Sequence, residues 1–65
     1  MPWFIVSRYA DDFKREGEPQ RIEAATALEA AEKICGCPLI VSKGLDVRAV
    51  AFRLDNKRKT VFRRR

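Results

Sequence analysis

Apolar and polar residues alternate over most of this chain, and the places where the alternation breaks mark its elements. From Trp3 to Tyr9 aromatic and β-branched residues dominate, with Ile5, Ser7 and Tyr9 on one face and Phe4, Val6 and Arg8 on the other, which predicts a first strand. The start of that strand is apolar on both faces, so Trp3 or Phe4 has a second surface to cover. Ala10 to Gln20 is polar and carries Gly17 and Pro19, as a loop or the tip of a long hairpin does. Alternation resumes over Arg21 to Ala25, a short strand expected to pair antiparallel with the first.

The period then changes. Thr26 followed by Glu29 has the spacing of a capping box, in which the hydroxyl and the carboxylate serve amides that a first helical turn leaves unpaired. Leu28, Ala31, Ile34 and Cys35 form one stripe, with Glu29, Glu32 and Lys33 outside it. Gly36 stands where a left-handed terminator belongs, and Pro38 blocks continuation, so the helix runs for about ten residues. Leu39 to Ser42 reads as a strand, Lys43 to Asp46 as a turn, and Val47 to Leu54 as the longest strand, with Val50, Phe52 and Leu54 on one face. Asp55 to Lys57 turns the chain back, and Lys59 to Arg63 forms a last strand that frays into Arg64 and Arg65. The prediction is an α+β domain spanning 1–65: a small antiparallel sheet in ββαββ order with a further C-terminal strand, and one helix packed across one face.

At 65 residues the chain buries only about 60% of the surface it exposes when unfolded, so its stability is marginal and dimerisation is an ordinary remedy. There is no spare volume for an internal active site. Hydrophobic residues at 46% are enough for a core, which argues against disorder. The N-terminal apolar run lacks a preceding basic residue and the length of a secretory signal, and no stretch reaches the ~20 apolar residues of a membrane span. A cytoplasmic protein with no membrane partner is expected.

Catalytic and metal chemistry is thin. The chain has no histidine, the usual general base and metal ligand near neutral pH. Cys35-Gly36-Cys37 offers two thiolates, but structural zinc needs four ligands, so only a dimer pooling two pairs completes such a site. A disulfide across one glycine closes a strained ring, and the pair reads as small, partly buried packing residues whose pKa a helix C-terminus raises. Asp11 and Asp12, with Glu16 and Glu18, lack calcium-loop spacing, and with Lys14 and Arg15 interleaved they read as a solvated loop. Gly17, Gly36 and Gly44 are too dispersed to cradle a phosphate. No enzyme activity, cofactor or metal is expected.

Charge changes the picture most. Residues 1–40 hold five Lys/Arg against seven Asp/Glu, a net of −2, whereas residues 41–65 hold nine against two, a net of +7. If the last two strands form a hairpin, then Lys43, Arg48, Arg53, Lys57, Arg58, Lys59, Arg63, Arg64 and Arg65 share one region that attracts nucleic acid or another polyanion. Only Phe52 and Phe62 interleave with these cations, which offers little for base stacking. A basic hairpin also keeps a sheet edge from pairing with a second copy. The competing reading is a protein-interaction module, a regulatory, inhibitor or accessory subunit that presents a strand edge or the apolar surface of Trp3, Phe4 and Tyr9, with a homodimer as one form. The passage from Ile22 to Ala31, a strand leading into Thr-x-x-Glu, is similar to the hairpin-to-helix segments of short bacterial and phage domains, which implies an accessory protein of such origin.

Overall fold

A computed structural model describes residues 1–10, 14–44 and 46–65; Asp11 and Asp12, read above as a solvated acidic pair, lie outside the described residues. The chain folds as β1 (Trp3–Arg8), β2 (Gln20–Glu23), α1 (Ala27–Cys35), β3 (Leu39–Val41), β4 (Val47–Arg53) and β5 (Lys59–Arg64). All strand pairs are antiparallel in one sheet of order β2-β1-β4-β5-β3, with α1 packed across one face, chiefly on β4 and β1. This is the α+β layer that the alternation predicts. No helix among the described residues is long and apolar enough to cross a membrane.

Local chemistry sets the helix limits. The Thr26 hydroxyl oxygen accepts from the Glu29 N–H at 3.1 Å, and Gly36 adopts φ 71° and donates its N–H to the Glu32 carbonyl at 2.8 Å. A left-handed residue ends the helix there at little steric cost because it has no Cβ. Glu29 also pairs with Lys33 one turn on, at 3.1 Å. Of the predicted stripe, Ala31 is fully buried and Ile34 and Cys35 pack against the core, but Leu28 is exposed, and the fully buried Ala30 with Ala27 beside it takes its place. Shape decides this, because the strand residues meeting the helix include Ala49 and Ala51, both fully buried, and small side chains on both surfaces let the backbones approach closely.

Among the described residues the core has four large, fully buried side chains, Phe4, Val6, Leu39 and Phe62, joined by five alanines. Phe4 and Val6 of β1, Ala49 and Ala51 of β4 and Phe62 of β5 all face α1. The Glu32 carboxylate ties the two layers at one end by accepting the Leu39 N–H at 2.9 Å. β5 keeps pairing through Arg64, and the Arg65 N–H donates to the Pro38 carbonyl at 3.2 Å, further along the chain than the sequence pattern predicts.

Candidate functional site

The nine C-terminal cations do not form one patch. An antiparallel hairpin places Arg53, Lys57, Arg58 and Lys59 at its turn and Arg48, Arg63, Arg64 and Arg65 at its far end, about 20 Å away for strands of this length. Lys43 lies at that far end too, in the β3–β4 connection beside Arg63. Alternation then divides them between faces: Lys59 and Arg63 point away from the helix, while Arg53 and Arg64 share its side. Arg53 is engaged with Asp55 through Nε–Oδ1 at 2.6 Å and Nη2–Oδ2 at 3.0 Å. That side-chain hydrogen bond holds the Asp55 carboxyl below its usual range.

What the pairing assembles instead is the face of the sheet that α1 leaves open. Register places Arg21 opposite Ile5, Ile5 opposite Phe52, and Phe52 opposite Lys59, a row crossing β2, β1, β4 and β5. Behind it stand Ser7, Val50 and Val61, and then Val47, Arg63 and Ile40. Trp3 begins β1 on this same face, diagonal to Phe52, at about 7–8 Å by strand geometry. Trp3 is 45% exposed, and the Arg21 guanidinium lies over its ring, 5.5 Å from the centroid. Glu23, opposite Trp3, pairs with the N-terminal ammonium at 3.6 Å. The face therefore combines two aromatic rings, an aliphatic floor and three cations, Arg21, Lys59 and Arg63.

Of the three apolar candidates, Trp3 is open to solvent, Tyr9 is half-buried, and Phe4 is 1% exposed beneath the helix. Arg21 was not among the sequence candidates. Its only signal is an odd position on the second strand, and that acquires meaning only once β1 is known to pair with both β2 and β4. Phe62 is buried in the core, so Phe52 is the hairpin's one surface ring, and its partner Trp3 comes from the other end of the chain.

Arg48 and Arg64 line a cleft on the helix side with Cys35 and Cys37. Both thiols are free and half-buried, packed against the core. Burial first, then the neighbouring Cys37, pushes the Cys35 pKa up, and the opposing effect of Arg8 and Arg48 is smaller. No group of three or more metal-ligating side chains occurs among the described residues. No family model, curated protein or solved structure matches the chain, so the reading of its role rests on these surfaces.

Proposed function

We propose that the chain is a non-enzymatic module that holds a short stretch of single-stranded nucleic acid on the open face of its sheet. The observation that carries this reading is the Arg21–Ile5–Phe52–Lys59 row with Trp3 beside it. Bases stack on Phe52 and Trp3, a contact worth about 1–3 kcal/mol per base whatever the base. Phosphates meet Lys59, Arg63 and Arg21, the last moving outward from the indole as a base takes its place. Arg21 and Lys59 stand three strand spacings apart, about 14 Å, so the rings lie between flanking cations. Such a role fits a cytoplasmic setting.

Trp3, the chain's one tryptophan, reports directly on stacking. Titration with oligothymidylate or oligouridylate at low salt is expected to quench its emission, and the binding constant is expected to fall with salt at a log–log slope of about −2 for three cations on a single strand. Absence of binding at low salt overturns the proposal. So does binding that leaves the indole unquenched, which returns any polyanion contact to the cations of the hairpin alone.

The exposed edge of β3 favours a second reading as a protein-interaction module. Ile40 and Val41 are 40% and 61% exposed there, and among the described residues β3 has a sheet neighbour only on its β5 side. Strand addition along that edge, by a second copy or by another protein, would use its free backbone groups. Sedimentation equilibrium showing a monomer across the micromolar range counts against the self-associating form.

A further inference from the structure

On the helix side of the sheet, far from the β4–β5 turn, three arginines from three strands line one cleft of about 120 Å³. Arg8 ends β1 and Arg64 ends β5, while Arg48 arrives through a bulge, since Val47 pairs with Arg63 and Ala49 with the adjacent Phe62. Such a bulge inserts one extra residue and re-aims its side chain. Tyr9 adds a phenol, Cys35 and Cys37 form a soft wall, and Glu16 is the one acidic side chain among the described residues of the lining. The adjoining groove sets Arg63 and Arg65 against Asp46.

Arg8 stands out in this group. Its Nε is buried with no hydrogen-bond partner, whereas native structures almost always supply an acceptor to a buried, charged donor. The Arg8 carbonyl accepts the Glu16 N–H at 2.8 Å, and a Cβ at Gly17 would stand in ordinary contact with Arg8 Nη2, at 3.4 Å. Gly17 has φ +73°, a backbone conformation that suits glycine. The cleft thus holds a guanidinium whose buried Nε is left without a hydrogen-bond partner.

We infer that this cleft binds a phosphate group, with Arg8 and Arg64 as principal donors and Arg48 at the wall. Among the described residues, three guanidinium groups against one Glu16 carboxylate give the lining a net of +2, which matches a phosphate carrying about −1.5 to −2 near neutral pH better than it matches a single carboxylate. Planar guanidinium forks suit tetrahedral oxyanions because two N–H groups meet two oxygens at once. The volume suffices, since about 10–15 Å³ already admits a water. The cleft lies on the opposite side of the sheet from Trp3 and Phe52, so it stands or falls independently of nucleic-acid binding.

Titration calorimetry of the whole chain with inorganic phosphate, at an ionic strength held constant with chloride, tests the site. One saturable site is expected, together with slower alkylation of Cys35 and Cys37 when it is loaded. Arg8→Met is expected to weaken binding by about tenfold or more, as loss of a charge-assisted fork does. Arg64→Gln, at an exposed position, is the second variant should the first fail to fold, and Trp3→Ala is expected to leave phosphate binding unchanged. Parallel titrations with phosphoserine and a nucleoside 5′-monophosphate identify the source: tighter binding of an ester points to an attached phosphate, and equal binding to the free ion. A heat signal that does not saturate, or an affinity unchanged in both arginine variants, overturns the site.

Discussion

The guanidinium of Arg21 lies over the indole of Trp3, 5.5 Å from its centroid, so the edge strand β2 and its neighbour β1 present a cation and a ring as one unit. At an exposed position such a pair contributes about 0.5–1 kcal/mol, too little to anchor the fold. Its consequence is positional: it adds charge to the one sheet face the helix leaves open, next to Phe52 and Lys59 in register.

Phe52→Leu keeps an apolar side chain at this half-buried position and removes the ring. It is expected to weaken oligonucleotide binding by about tenfold, the lower range of one base–aromatic stack, with the urea midpoint almost unchanged. Anisotropy of a labelled oligonucleotide and urea unfolding, run on the same preparation, check both halves of this expectation.

Ala51→Leu tests the close approach of helix and sheet. Ala51 is fully buried on β4, the strand most engaged by α1, so extra methylenes there force the layers apart at a cost of about 1–3 kcal/mol. Val50→Leu, one residue away but on the open face, is expected to be close to neutral. Equal losses from both would mean that the helix is not seated on Ala51.

Glu32→Ala removes the acceptor of the Leu39 N–H, leaving a part-buried donor unpaired. A loss of about 1–3 kcal/mol is expected. Glu32→Gln retains a carbonyl oxygen at that place and should recover most of the loss, which chemical denaturation of the pair would show.

Cys35 predicts a pH dependence. Because burial, followed by Cys37, raises its folded pKa above that of the unfolded thiol, the folded state holds its proton more tightly. The resulting stability is complete below the ordinary thiol pKa, about 8.5, and is lost as pH rises through the folded value. Cys35→Ala should flatten the alkaline decline of stability measured by urea unfolding, and in the native chain Cys35 should alkylate slowly at neutral pH.

The elements were legible because their signals are local. Thr26, Glu29 and Gly36 mark the helix by chemistry that acts within one turn, and the period-two runs around Ile5, Val50 and Val61 mark strands whichever partners they find. Leu28 was misjudged for a reason outside its own neighbourhood: it is a better core residue than Ala30, but Ala49 and Ala51 on the facing strand leave room for alanine. The basic half was visible as charge, whereas its division between two ends and two faces depends on register. Trp3 and Phe52 lie 49 positions apart, and no pattern within either segment brings them together.

By itself, then, the sequence determined the element order, the helix limits, the alternation of each strand and the imbalance of charge, because propensity, capping and hydrophobic period act between residues a few positions apart. Tertiary structure alone decided the strand order β2-β1-β4-β5-β3, and with it the joining of Arg21, Trp3, Phe52 and Lys59 on one face and of Arg8, Arg48 and Arg64 in one cleft. The physical reason is that pairing between distant strands is selected by how well whole faces bury against the helix, a property of the assembled sheet rather than of any one strand.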